Sequence, residues 1–226
     1  MSAERVRTKI CGITSVRDAE LCVAHGADSI GLNFVAGTKR CIDTALARAI
    51  VDTVGTKLLV VGVVANMEAS ALRALKADAK LACLQLHGDE TPDFLEPFLP
   101  HAYKAVAVRS RADLDRARTF GGNYILLDAP PNAAGQVGGT GESWGYEIAA
   151  PLARERRVSL AGGLNAENVA AAIAAVGPWC VDVASGVEVP GAARGEKSEA
   201  RVAAFIDAVR RSSDPSAARH RAPRAP

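Results

Sequence analysis

The chain has no C-x-x-C pair, no G-x-G-x-x-G fingerprint after its first strand-like run, and no apolar run near the ~18 residues needed to cross a bilayer. The first absence, with an odd count of five scattered cysteines, excludes a disulfide framework and a zinc knuckle; free thiols are expected. The second argues against a dinucleotide-binding open sheet. The third excludes a membrane span, and Met1 to Arg7 lack the apolar core of a signal peptide, so a cytoplasmic protein is expected. An excess of one charge sign is also lacking. A net charge of +2 gives no basic face for nucleic acid, so a nucleic-acid partner is not expected.

What is present is apolar and regular. With 49% apolar residues, 226 residues suffice for one α/β domain with a substantial core. Short β-branched runs alternate eight times with longer Ala-rich segments of helical period. The runs predict strands at Val6 to Cys11, Asp28 to Phe34, Lys57 to Val64, Leu81 to His87, Ala102 to Val108, Tyr124 to Asp128, Val158 to Ala161 and Cys180 to Val183. Helices are predicted at Val16 to His25, Asp43 to Val54, Met67 to Ala77, Thr91 to Leu99, Arg111 to Phe120, Ser143 to Arg156, Ala166 to Val176 and Lys197 to Val209. Eight such pairs in one domain predict a (β/α)8 TIM barrel over residues 1–211, shorter than the ~250 residues typical of that fold. Residues 212–226, rich in Ala, Arg and Pro, are expected to form a disordered tail.

Active sites of parallel α/β barrels form where strands hand over to helices. Lys9-Ile10-Cys11-Gly12-Ile13-Thr14 puts a thiol at such a junction, and Ser15 with Asp18 reads as the N-cap of the next helix. Cys11 is therefore a candidate for chemistry or a buried structural thiol. Asp128, ending strand six, is a candidate acid or a strand-end salt-bridge partner. Cys22, Cys83 and Cys180 read as core fillers.

Glycine-rich turns follow strands six, seven and eight, which are neighbours in a barrel. They include Gly139, within the long connection Ala129 to Glu142, then Gly162-Gly163-Leu164-Asn165, with Asn165 as a cap, and Ser185-Gly186. Exposed backbone N–H groups at a helix start make an anion site, so these turns either bind phosphate or serve only as tight turns.

In order and placement, Lys9 to Thr14, Gln85-Leu-His-Gly88, Leu127-Asp128, Gly138-Gly-Thr-Gly141, Gly162-Gly-Leu-Asn165, Glu167-Asn-Val169 and Asp182-Val-Ala-Ser-Gly-Val-Glu188 resemble the phosphoribosylanthranilate isomerase family. The resemblance spans about residues 7–209. It implies the Amadori rearrangement of N-(5-phosphoribosyl)anthranilate in tryptophan biosynthesis, with a phosphorylated small-molecule substrate and neither metal nor organic cofactor. It also implies Cys11 as general base and Asp128 as general acid, with Arg40 holding the anthranilate carboxylate and His87 and Asp182 contacting substrate. Gly139, Gly162, Gly163, Ser185 and Gly186 would hold phosphate.

Each role has a plainer alternative. Arg40 could pair with Asp43, His87 could be a rim histidine, and Asp182 could cap a strand. Ala184, where the family commonly has serine, leaves Ser185 and backbone N–H groups for phosphate, and Trp144-Gly145 departs from the usual Phe-Asp-Trp. Two other functions compete: a sugar-phosphate isomerase or epimerase on the same barrel, and a non-catalytic binder of a phosphorylated ligand. A monomer or a homodimer is expected.

Overall fold

The computed structural model describes residues 5–129 and 145–213. Eight parallel strands close into a barrel in sequence order. They are β1 (Arg7–Cys11), β2 (Ser29–Asn33), β3 (Leu59–Val64), β4 (Cys83–Leu86), β5 (Ala102–Ala107), β6 (Tyr124–Asp128), β7 (Arg157–Leu160) and β8 (Cys180–Val183). Closure is made by β8 pairing with β1 through Lys9 opposite Asp182 and Ile10 opposite Val183.

The helices are α1 (Val16–His25), α2 (Thr44–Val54), α3 (Ala69–Asp78), α4 (Pro92–Leu95), α5 (Arg111–Thr119), α6 (Ala150–Glu155), α7 (Val169–Val176) and α8 (Glu199–Ser213). Strand side chains alternate between two faces, and the two faces meet different solvents. Ile10, Ile30, Leu84, Leu86, Leu127 and Val181 point outward into the main apolar core beneath the helices. Residues of the other parity, among them Lys9, Cys11, Gln85, Asp128 and Asp182, face the barrel interior, where Ala105, Leu126 and Ala161 form only a small apolar cluster.

Local signals place several helices as expected. Ser15 caps α1 by accepting from the Asp18 N–H at 3.0 Å, and Gly26 ends it in the left-handed conformation at φ 74°. Asp43 caps α2 by accepting from the Leu46 N–H at 2.8 Å. Asp43→Ala is expected to cost about 1 kcal/mol of stability, read as a shifted urea midpoint at unchanged slope.

Other boundaries move for identifiable reasons. The predicted helix Thr91 to Leu99 is α4 followed by a 3-10 turn, Glu96–Phe98, because Pro97 lacks the N–H an α-helix needs. Of the predicted helix Ser143 to Arg156, the part within the described residues is a 3-10 turn, Tyr146–Ala149, and α6, entered through Gly145, left-handed at φ 69°. Helix α7 starts at Val169 rather than Ala166, and the intervening turn is held by Asn165, whose side chain accepts from the N–H groups of Glu167 and Asn168. Helix α8 starts two residues later than Lys197, which instead bridges to Glu188. It then runs through Ser212 and Ser213, which the sequence assigns to the tail. The rest of that tail, residues 214–226, lies outside the described residues, as do most of the predicted loop Ala129 to Glu142 and its Gly139. No helix among the described residues is long and apolar enough to cross a membrane.

Candidate active site

A cavity of about 280 Å³ opens at the C-terminal end of the barrel. It gathers Cys11, Arg40, His87, Asp128, Asp182, Gly162, Gly163 and Ser185, eight of the ten residues singled out in the sequence. Gly186 lies beside it, in an adjoining depression shared with Gly163, Asn165 and Ser185. Gly139 falls outside the described residues.

Cys11 ends β1 on the inward face, next to Gly31 of β2. That glycine makes room for the thiol, since a methyl group there would sit 2.6 Å from the sulfur and 3.2 Å from Lys9 Nζ. Burial pushes the Cys11 thiol up, and the nearby charges of Lys9 and Lys197 only partly offset it. The charge of Asp182 adds to the upward push.

Lys9 is 2% exposed in the barrel interior. Its ammonium donates to Asp182 Oδ2 at 2.7 Å and to Gln85 Oε1 at 3.1 Å. Burial disfavours its charge, but Asp182 and the thiolate form of Cys11 outweigh that, so Lys9 is held well above the usual lysine range. Removing only one partner of such a pair would leave an uncompensated buried charge. Asp182 Oδ1 is buried without a hydrogen-bond partner among the described residues, and Asp182 lines the cavity.

From this floor a polar chain crosses to Asp128. Gln85 Oε1 accepts from Lys9 and from the Tyr103 hydroxyl at 3.0 Å. Because lysine can only donate, the amide nitrogen of Gln85 faces the other way, 3.1 Å from His87 Nδ1. Nδ1 then accepts, which places the ring proton on Nε2, 3.5 Å from Asp128 Oδ2. Asp128 itself is 8% exposed. Burial, and then the charge of Asp128, push the nearby Tyr146 hydroxyl up to about 12; that hydroxyl donates to the Gly162 carbonyl at 2.6 Å.

The glycine turns have packing reasons as well as exposed N–H groups. Gly162, at φ 94°, lies so close to Ala129 at the end of β6 that any side chain would collide, and Gly186 abuts the Leu164 carbonyl in the same way. Small residues thus bring the ends of β6, β7 and β8 together, as the sequence predicts. Arg40 does not pair with Asp43. Its Nε donates to Glu188 Oε1 at 2.5 Å, while Asp43 is occupied as a helix cap. Among the described residues no cluster of three His, Cys, Asp or Glu side chains is placed to hold a metal ion.

Sequence reasoning missed the roles of Lys9, Gln85, Glu188 and Lys197. For the first two a signal existed: each stands two residues before a candidate site residue on the same strand, and therefore on the same inward face.

The chain matches known proteins over nearly its whole described length. The family model described as N-(5'phosphoribosyl)anthranilate (PRA) isomerase matches residues 8–208. N-(5'-phosphoribosyl)anthranilate isomerase of Pseudomonas putida (strain GB-1) is 41% identical over 207 residues, covering 91% of this chain and 98% of the relative. Among solved structures, phosphoribosyl anthranilate isomerase from Thermotoga maritima superposes with a TM-score of 0.82 at 35% identity, covering 91% of this chain and 98% of that one. A phosphoribosyl anthranilate isomerase in complex with reduced 1-(o-carboxyphenylamino)-1-deoxyribulose 5-phosphate superposes at 0.79 with 34% identity and the same coverages.

Proposed function

The chain belongs to the N-(5'-phosphoribosyl)anthranilate isomerase family, and from that premise we propose that it rearranges N-(5-phosphoribosyl)anthranilate with Asp128 as general acid and Cys11 as general base. The activity is an isomerisation in tryptophan biosynthesis, giving 1-(2-carboxyphenylamino)-1-deoxyribulose 5-phosphate. The observation that carries the assignment of roles is the opening of a thiol and a carboxyl from β1 and β6 onto one cavity that also holds an arginine and glycine turns.

The chemistry needs two proton transfers in sequence. Asp128 gives its proton to the ribose ring oxygen as the C1–O bond breaks, and the anthranilate nitrogen supplies the electron pair that forms an iminium. Cys11, as thiolate, then removes the proton from C2, and the electrons neutralise the iminium to an enolamine. The enol tautomerises to the ketone of the product. Lys9 lies close enough to the sulfur to favour the thiolate electrostatically. Substrate is held at both ends: phosphate by N–H groups around Gly162, Gly163, Ser185 and Gly186, and the anthranilate carboxylate by the planar fork of Arg40. The free oxygen of Asp182 suits a ribose hydroxyl, and His87 lies beside Asp128.

The test follows the loss of substrate fluorescence with purified protein. Turnover is expected; tight product binding without turnover would favour the non-catalytic binder instead. Arg40→Ala is expected to raise KM by about 10- to 100-fold with a smaller change in kcat, because a ground-state carboxylate contact is lost. An unchanged KM would remove Arg40 from the carboxylate site.

A further inference from the structure

Glu188 closes the strand-eight motif, and the proposed chemistry gives it no work. It is nevertheless one of the most heavily engaged acids among the described residues. Its side chain is 6% exposed and faces three cations. Oε1 accepts from Arg40 Nε at 2.5 Å and lies 3.5 Å from Lys197 Nζ, while Oε2 accepts from Lys39 Nζ at 2.7 Å. Lys197 is fully buried and also donates to the Ala184 carbonyl at 3.1 Å, just ahead of Ser185.

The surrounding backbone makes this acid rigid. Glu188 and Lys197 form an antiparallel bridge, flanked by bonds from the Val189 N–H to the Glu196 carbonyl and from the Ser198 N–H to the Val187 carbonyl, both at 2.9 Å. The arginine is equally confined. Its aliphatic stem lies against Gly12, where any side chain would collide with it, and against Gly195, where a methyl group would sit 3.2 Å from Arg40 Cγ and 2.9 Å from Glu188 Oε1. Glu188 engages Arg40 only through Nε. Among the described residues the two terminal nitrogens of the fork have no hydrogen-bond partner, and Arg40 lines the cavity.

We propose that Glu188 is the positioning residue for Arg40: from the turn after β8 it reaches over the end of β1, fixes the guanidinium through Nε, and leaves the terminal fork ready for the substrate carboxylate. An arginine held in its bound pose before substrate arrives loses less conformational freedom on binding. Burial alone would raise the carboxyl of Glu188, but the hydrogen bonds from Arg40 and Lys39 and the charge of Lys197 hold it at about 2, so the clamp is charged throughout the working pH range. The proposal rests on the reading of Arg40 as the carboxylate grip.

A double-mutant cycle tests it, with KM and kcat for N-(5-phosphoribosyl)anthranilate and the inhibition constant of inorganic phosphate measured for wild type, Arg40→Ala, Glu188→Gln and the double variant. Glu188→Gln is expected to raise KM about tenfold with kcat changed by less than about threefold. Phosphate inhibition should be unchanged, and the double variant should be no worse than Arg40→Ala alone. Glu188→Asp keeps the charge beside Lys197, and hence the fold, but withdraws the oxygen from Arg40 by one methylene; it too is expected to raise KM. If Arg40→Ala raises KM while neither Glu188 variant does, or if the two substitutions multiply, the positioning role is overturned and the Arg40 reading stands. If Arg40→Ala leaves KM unchanged, the Arg40 reading fails first and takes the clamp with it. A joint loss of kcat and phosphate inhibition in both Glu188 variants would make Glu188 a merely structural acid, against the proposal.

Discussion

Asp128→Asn is expected to lower kcat by about 100- to 10,000-fold with little change in KM, the range found for removal of a positioned general acid. The substitution keeps shape and polarity, so the contact with His87 at 3.5 Å and the packing at the end of β6 persist. What is lost is the transferable proton. An amide can donate a hydrogen bond to the ring oxygen but cannot neutralise the alkoxide that forms as the ring opens. The measurement is single-turnover fluorescence decay with enzyme in excess, which separates chemistry from product release. Activity within threefold of wild type would remove Asp128 as the acid and leave His87, 3.5 Å away, as the next candidate.

Cys11→Ser is expected to lower kcat by a comparable factor, about 100- to 10,000-fold, because a hydroxyl is a far weaker base than a thiolate. Full activity in this variant would remove Cys11 from the mechanism. The pH profile gives an independent check. The reaction needs a protonated carboxyl and a thiolate at once. Titration of Cys11 sets the alkaline break in kcat/KM. Burial places that alkaline break above the ordinary thiol range in the free enzyme, while Lys9 and Lys197 restrain how far it rises. A profile with no break above the ordinary thiol range would exclude Cys11 as the base.

The fold was legible because its signals are local. Alternating apolar runs and helical periods mark eight units, and Ser15 and Asp43 mark two helix starts through hydrogen bonds within three residues. Where the pattern overshot, a backbone feature intervened: Pro97 cut a helix short. Strand-end candidates were legible for a similar reason. Once eight parallel strands are inferred, a residue at the C-terminal end of any of them is at the mouth, whatever its partners are.

The order of strands and the placement of Cys11 and Asp128 at strand ends on the barrel mouth thus followed from the amino-acid sequence by itself. Tertiary structure alone decided which buried charges meet. Lys9 finds Asp182 across 173 positions and Arg40 finds Glu188 across 148, because barrel closure lays β8 beside β1. Neither pairing has a local pattern, since a buried lysine or glutamate is stabilised by whatever the fold places opposite it. The state of the thiol belongs to the same class: burial raises it and two lysines from opposite ends of the chain restrain it, a balance that exists only after the barrel has closed.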